Sequence, residues 1–211
     1  MSLFASQQLS RSGFRKIIYD LPDAEAILYE GFFDQQEADN LFEKIEQETK
    51  WQQDSISLYG RLHLVPRLSA WYGDSDKTYT YSGIKMHPCE WSESLLQIKK
   101  VVEEVAETTF TSVLLNYYRT GKDSMGWHQD NEKELGRDPV IASVSLGQTR
   151  PFHLRHKFRK EVAKLVVPLS HGSLLLMKGC TQHFWEHQIP KSAKPLLPRI
   201  NLTFRKIVVE R

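Results

Sequence analysis

Two residue types that bind metal ions, histidine and aspartate, occur at suggestive spacings in the second half of the chain. His128 and Asp130 are two residues apart. Alternate residues of a strand point to the same side, so this pair can reach one metal ion if the segment is extended. His183 and His187 are the candidates for a third ligand. Two histidines and one carboxylate form the facial triad of non-haem Fe(II) sites. An ordinary surface pair is the alternative, because about one such spacing arises by chance in a chain of this composition.

A second polar set alternates with apolar residues along 199–205, which reads RINLTFR. On a strand, Arg199, Asn201, Thr203 and Arg205 share one face. The planar guanidinium fork matches a carboxylate in two-point contact, so this face could bind an acid inside a barrel. A half-exposed strand with its polar side in water is the other interpretation.

The elements around these residues predict an α+β domain that is mainly β. Asp34 and Glu37 resemble a capping box before an apolar stripe, and 92–109 has helical apolar spacing. After Phe110, short β-rich runs predict a sandwich or jelly roll with the helices outside one sheet. The predicted strands are 113–118, 140–146, 151–155, 164–169, 173–177, 181–187 and 199–209.

Domain organisation follows from the same pattern. Residues 1–25 are predicted as an N-terminal extension and 26–211 as a single domain, because no linker or internal repeat divides the chain. Within that domain, the aromatic-rich stretch 55–90 is broken by glycine and proline and predicts hairpins or a lid.

Composition excludes several classes of protein. The 211 residues are 40% apolar and 26% charged, which is not typical of disordered or collagen-like chains. No apolar run approaches the roughly 18 residues needed to span a membrane, so no membrane association is expected. Two distant cysteines do not form a disulfide framework, so a reducing compartment is expected: the cytoplasm, or the nucleus in a eukaryote.

Charge is distributed unevenly along the chain. Residues 1–149 contain 15 Lys/Arg and 23 Asp/Glu, whereas residues 150–211 contain 13 and 3. The C-terminal part is therefore either a solvated basic face or a surface that contacts phosphate groups.

The order HxD, distant histidine and RxNLTFR resembles the AlkB family of Fe(II)- and 2-oxoglutarate-dependent dealkylases, and most closely its DNA-repair branch. The resemblance extends from about Leu58 to Arg205. It includes PR at 66–67, TYTYSG at 78–83, NYY at 116–118, IASVSLG at 141–147 and HGSLL at 171–175. It implies a double-stranded β-helix, or jelly roll, with two helices supporting one sheet and an aromatic substrate-recognition lid.

The resemblance also implies residue roles around iron and the cosubstrate. His128, Asp130 and His187 would bind Fe(II), and His183 is the rival third ligand. Arg199 would bind the distal carboxylate of 2-oxoglutarate, and Arg205 would act nearer the metal. The complete implied cosubstrate set is Asn116, Tyr118, Arg199, Asn201 and Arg205.

On the substrate side, the resemblance assigns base stacking to Tyr79 and Tyr81. Stacking returns about 1–3 kcal/mol per base, comparable to the few kcal/mol that base flipping costs. Glu132 and Arg67 would contact the base. Tyr59-Gly60 would fill the vacated stack, and the residues expected to contact DNA phosphates are Arg155, Lys157, Arg159 and Lys160.

The implied reaction is oxidative dealkylation of bases such as 1-methyladenine and 3-methylcytosine, using O2 and releasing formaldehyde, succinate and CO2. The expected partner is alkylated DNA or RNA, and the expected state is a monomer. Two alternatives stay open. One is an oxygenase of the same fold that acts on a protein, lipid or small molecule. The other is a jelly-roll module that binds a metal or an acid without turnover.

Overall fold

The computed structural model describes residues 13–58, 61–75, 79–81, 84–86 and 88–208. Within these residues there are fifteen strands and three α-helices. The helices are α1 (Gln35–Glu48), α2 (Glu93–Ala106) and the short α3 (Thr181–Phe184). The strands of the first half are β1 (Arg15–Tyr19), β2 (Glu25–Glu30), β3 (Ser55–Leu58), β4 (Arg61–Leu64), β5 (Leu68–Gly73), β6 (Tyr79–Tyr81), β7 (Ile84–Met86) and β8 (Ser112–Tyr118). The strands of the second half are β9 (Met125–His128), β10 (Ile141–Gly147), β11 (Arg150–His156), β12 (Leu165–Leu169), β13 (Ser173–Lys178), β14 (Trp185–Ile189) and β15 (Arg199–Arg205).

Two antiparallel sheets form the body of the domain. The major sheet has seven strands in the order β1-β2-β13-β10-β15-β8-β5, and the minor sheet has four in the order β12-β11-β14-β9. Hairpins β3-β4 and β6-β7 stand apart from both sheets. The strand orders are not sequential, as expected of a jelly roll, and the prediction of that fold is confirmed.

The central strand of the major sheet is buried on both faces, because each face covers a separate core. Six of the seven residues of β10 are buried. One core contains helix residues such as Leu95 and Ile98 with Val144 and Leu202, and the other contains Leu154, Val167 and Trp185 of the minor sheet. The helices therefore support one face of the major sheet, and the space between the two sheets contains the second apolar core together with a pocket.

Helix α1 begins at the predicted capping box. The Asp34 carboxylate accepts a hydrogen bond from the Glu37 backbone N–H at 2.8 Å, and the Glu37 side chain accepts one from the Asp34 N–H at 3.1 Å. Helix α2 begins after the N-cap Ser92 and ends at Ala106, because Glu107 adopts a left-handed conformation with φ of 56°. No helix in the described part of the chain has both the length and the apolar character needed to cross a bilayer.

The structure corrects three sequence expectations. Strand β1 lies inside the segment predicted as an extension and pairs with β2, so the sheet starts before residue 26. Strand β5 lies inside the predicted lid but pairs with β8 in the major sheet. The predicted strand 181–187 is helical over Thr181–Phe184 and extended only from Trp185.

Candidate active site

The predicted metal ligands meet at the edge of the minor sheet. His128 ends β9 and pairs directly with His187 of β14, and their ring centroids are 4.2 Å apart. Asp130 follows β9 by two residues, and one ligand atom from each of the three side chains lies within 4.8 Å of the others. Among the described residues, this is the one such group of metal-binding side chains.

The Asp130 carboxylate is fixed and ionised. Arg205 donates a hydrogen bond from Nη2 to Oδ1 at 2.8 Å, and the Asp130 N–H donates to Gln182 Oε1 at 2.9 Å. Burial raises the pKa of Asp130, but the charges of Arg205 and the two histidines outweigh burial and hold the pKa at about 2. The carboxylate is therefore ready to bind a cation at neutral pH.

Both imidazoles can turn a ring nitrogen toward a metal. Burial, followed by the charge of His128, lowers the pKa of His187 to about 3. His128 Nδ1 lies 2.9 Å from the Gly126 carbonyl oxygen, which can only accept, so Nδ1 carries the hydrogen and Nε2 remains for a metal. Two imidazoles and one ionised carboxylate whose ligand atoms lie within 4.8 Å of one another fit Fe(II). His183 is outside this group: its Nε2 lies 2.9 Å from Asp138 Oδ1 on the surface.

A polar pocket adjoins the metal group between the two sheets. All five predicted cosubstrate residues line it together with the three ligands: Asn116, Tyr118, Arg199, Asn201 and Arg205. Alternation along β15 places its polar residues in this pocket while Ile200, Leu202 and Phe204 pack in the helix-side core. The interpretation of β15 as a strand with its polar side in bulk water is wrong, because Arg199 is only 1% exposed.

Arg199 has the free donors that an acid requires. Its Nη2 donates to Ser145 Oγ at 2.9 Å, whereas Nε and Nη1 are buried without a hydrogen-bond partner among the described residues. Burial lowers its pKa to about 10, which leaves the guanidinium charged at neutral pH. A buried cation with two unused donors fits a carboxylate of 2-oxoglutarate.

Two other predicted cosubstrate residues, Asn201 and Arg205, already form hydrogen bonds to other protein groups. Asn201 donates from Nδ2 to Ser143 Oγ and the Val144 carbonyl, and its Oδ1 accepts from Thr203 Oγ1. Its amide therefore joins β15 to β10. Arg205 bonds to Asp130, so its observed contact orients a metal ligand.

A larger cavity lies on the other side of the metal group. Its volume is about 380 Å³, within the 300–1,000 Å³ typical of small-molecule sites. His128 and Asp130 line this cavity as well as the polar pocket, so the metal group lies where the two meet. A ligand that contacts the His128–Asp130 wall of this cavity would lie beside the metal position.

Two of the predicted substrate residues line this cavity. Arg67 is buried and donates from Nε to Asn116 Oδ1 at 2.7 Å, so it connects the cavity wall to the polar pocket. Glu132 has Oε2 buried without a hydrogen-bond partner among the described residues. Strand β6 places Tyr79 and Tyr81 two residues apart and pairs them with Met86 and Ile84, but their side chains lie outside the described residues. Tyr59 and Gly60 also lie outside them.

The predicted phosphate-contacting residues cluster around the end of β11. Arg155 is paired with Glu186 at 2.7 Å and lies 4.1 Å over the ring of Trp127. Lys157 donates to Gln129 Oε1 at 3.0 Å, beside the metal ligands. Arg159 pairs with Glu161, and Lys160 donates to the Lys157 carbonyl.

Several cavity residues were not found from the sequence. Trp127 directly precedes His128 in the sequence, and this position next to a predicted metal ligand could have identified it as a cavity residue. Trp71, Leu135 and Ile207 complete the apolar wall, and Asp54 adds a carboxylate that contacts Ser69 Oγ. Gln182 supports Asp130 from the helical turn that was predicted as a strand.

Two facing antiparallel sheets that enclose a two-histidine, one-carboxylate group beside a buried arginine define a non-haem iron oxygenase architecture. A family model described as the 2OG-Fe(II) oxygenase superfamily matches residues 25–205. The chain belongs to this superfamily and, within it, to the AlkB family.

Individual relatives agree with this assignment. The chain is 44% identical over 185 residues to alpha-ketoglutarate-dependent dioxygenase alkB homolog 3 of Bos taurus, covering 84% of this chain and 64% of that protein. It is 41% identical over 192 residues to the human DNA oxidative demethylase ALKBH2, covering 87% and 74%. The chain thus spans about two thirds of the length of these relatives. The solved structure of OsALKBH1 superposes with a TM-score of 0.64 at 16% identity over 90% of this chain and 100% of that one, which supports the fold.

Proposed function

We propose that this chain is an Fe(II)- and 2-oxoglutarate-dependent dioxygenase that removes alkyl groups from nitrogen atoms of nucleobases in DNA. The supporting observation is the shared wall of the two cavities, where His128 and Asp130 face both the polar pocket and the larger cavity. Related proteins are named as a DNA oxidative demethylase and as alpha-ketoglutarate-dependent dioxygenases. A metal at this position would be within reach of a cosubstrate on one side and a base on the other.

Different residues would bind the metal, orient its carboxylate ligand and bind the cosubstrate. Iron and 2-oxoglutarate supply O2 activation when bound, and the alkyl group leaves as formaldehyde in the case of methyl. His128, Asp130 and His187 hold the metal, and Arg205 keeps the carboxylate ligand ionised and oriented. Arg199 anchors the distal carboxylate of the cosubstrate through Nε and Nη1.

The cavity suits a flipped, alkylated base. Bases such as 1-methyladenine and 3-methylcytosine are positively charged, and Glu132 offers a buried acceptor oxygen for a base amino group. Trp71, Leu135 and Ile207 exclude water from the alkyl group. Tyr79 and Tyr81 supply stacking from the hairpin β6-β7.

Contact with the nucleic acid backbone is assigned to the basic turn after β11. Among the described residues, Lys157 donates to the Gln129 side-chain oxygen and Lys160 to the Lys157 carbonyl, both uncharged, so the two ammonium charges remain available to phosphates. Arg155 is neutralised by Glu186 and contributes less. We propose DNA as the substrate, RNA as a second possible polymer, a monomeric state, and a location in the compartment that holds the DNA.

The decisive experiment incubates the protein with Fe(II), 2-oxoglutarate, ascorbate and O2, and with oligonucleotides carrying one 1-methyladenine or 3-methylcytosine. Mass spectrometry should show loss of one methyl mass with stoichiometric succinate. Succinate without demethylation would redirect the search to proteins, lipids or small molecules. Metal binding with neither product would favour the binding-module alternative.

A second measurement tests the basic turn. The double variant Lys157→Gln, Lys160→Gln should weaken oligonucleotide binding and reduce the salt slope by about two, because each phosphate contact contributes roughly one counterion. Turnover of a free alkylated nucleoside should stay unchanged. An unaltered salt slope would contradict the assignment of this turn.

A further inference from the structure

Arg150 is a fully buried cation that neither the metal group nor the two cavities use. It begins β11 and is 0% exposed. Its guanidinium donates to three backbone carbonyls, those of Thr120 at 3.3 Å, Asp123 at 2.9 Å and Pro190 at 2.7 Å. Burying an arginine is costly unless its hydrogen bonds are made, so a role that requires this residue type is expected.

The three carbonyls come from segments that lead to the active site. Thr120 and Asp123 lie in the connection from β8 to β9, between Tyr118 and the metal ligand His128. Pro190 directly follows β14, which contains the metal ligand His187. One planar group thus joins the ends of two strands that provide ligands, and a lysine ammonium could not reproduce this fork.

Arg150 also contacts the ring of a cosubstrate-pocket residue. Its Cζ lies 5.6 Å from the ring centroid of Tyr118, and Cζ of Arg199 lies 5.2 Å from the same centroid. Tyr118 is only 2% exposed and lines the polar pocket. Its ring is therefore held by two guanidinium groups, one facing the predicted cosubstrate and one tied to the backbone.

We propose that Arg150 is a positioning residue for 2-oxoglutarate, which acts by fixing Tyr118 and the adjoining 119–124 connection. This inference rests on the proposed function, because it takes Tyr118 as part of the cosubstrate pocket. Arg150 itself lines neither cavity and reaches the polar pocket through the ring of Tyr118. Its removal should therefore weaken cosubstrate binding without removing the metal.

The test measures binding without turnover. Isothermal titration calorimetry gives the Kd of 2-oxoglutarate for protein loaded with Mn(II) in place of iron, and electron paramagnetic resonance gives the Mn(II) affinity. Arg150→Met should raise the 2-oxoglutarate Kd by about 10- to 100-fold, the scale typical of a displaced positioning group. The Mn(II) affinity should change by less than about threefold, well below that scale. Arg150→Lys should give an intermediate Kd.

A double-mutant cycle separates positioning from a simple loss of charge. In a Tyr118→Leu background, Arg150→Met should add little to the Kd, because the group that Arg150 holds is already gone. Equal effects in both backgrounds would overturn the proposal, and so would an unchanged Kd in folded Arg150→Met. Val167→Ala, a fully buried change in β12, is the stability control and should leave the Kd unaltered. If the unaltered protein bound no 2-oxoglutarate, the proposed function itself would fail instead.

Discussion

Replacing Arg199 should separate cosubstrate affinity from fold stability. Hydrogen bonds to charged groups contribute about 1.5–3 kcal/mol each. The two buried donors Nε and Nη1 would therefore contribute about 3–6 kcal/mol to binding a carboxylate, or about 10²- to 10⁴-fold in affinity. Arg199→Met should lose this amount, and Arg199→Lys, which retains the charge and one donor, should lose about half of the free energy.

Stability should respond in the opposite direction. Arg199 is a buried cation that donates to the neutral Ser145 hydroxyl and lies over the Tyr118 ring, with no carboxylate partner among the described residues. Such a cation opposes folding, so an apolar side chain of similar length should leave the melting temperature equal or higher without 2-oxoglutarate. Added 2-oxoglutarate with Mn(II) should then raise the melting temperature of the unaltered protein but not of Arg199→Met.

Calorimetric titration of 2-oxoglutarate and the KM for 2-oxoglutarate in turnover would measure the effect. Arg137→Met is the matched control, because Arg137 has a side chain that is 91% exposed. An unchanged 2-oxoglutarate affinity in Arg199→Met would refute the assignment. A large fall in the melting temperature of Arg199→Met without ligand would refute the argument that burying this guanidinium destabilises the fold.

Three further outcomes are expected. Asp130→Ala should abolish Mn(II) binding and turnover, because it removes the anionic ligand; near-normal Mn(II) affinity by electron paramagnetic resonance would contradict the metal site. Asn201→Ala should cost about 1–3 kcal/mol in urea unfolding because Ser143 and Val144 lose a donor, with a smaller effect on 2-oxoglutarate affinity than Arg199→Lys. Burial and the hydrogen bond to Glu46 raise the pKa of Tyr117 to about 12, so this pair stabilises the fold fully below pH 10 and loses its contribution between pH 10 and 12. Unfolding curves across that range should show a smaller loss in Glu46→Gln, and equal losses would argue against it.

The sequence was most informative where local rules determine geometry. The capping box at Asp34 starts α1, and alternation along 199–205 places one set of side chains in the polar pocket and the other in the core. The short spacing indicated that His128 and Asp130 lie in one group, although Asp130 follows the end of β9 and is held by Gln182 and Arg205. These features depend on neighbours in the chain and on periodicity, which a sequence displays directly.

Features that depend on distant partners were missed. The segment 181–184 contains aromatic and β-branched residues, but Gln182 at its centre accepts a hydrogen bond from Asp130, and such a contact cannot be found from propensity. In the sequence, Arg150 cannot be distinguished from the other basic residues of the C-terminal part. Its three carbonyl partners lie 27 to 40 residues away, so the contacts that set it apart are visible only in the fold. Strand β1 was missed because only its pairing with β2 makes its short apolar pattern part of the sheet.

The pairing of His128 with His187 has a consequence for how stably the edge strand of the minor sheet stays in place. Strand β9 is the outer strand of the minor sheet and has one neighbour, β14, with an irregular register between them. A metal bound by both histidines would cross-link β9 to β14 and so hold the edge strand on the sheet. Iron supply would then govern how often the margin opens, so amide hydrogen exchange in β9 and susceptibility to cellular proteases should both rise when iron is scarce. Through this feature, metal binding would couple the stability of the edge strand, and so the lifetime of the protein, to the supply of iron.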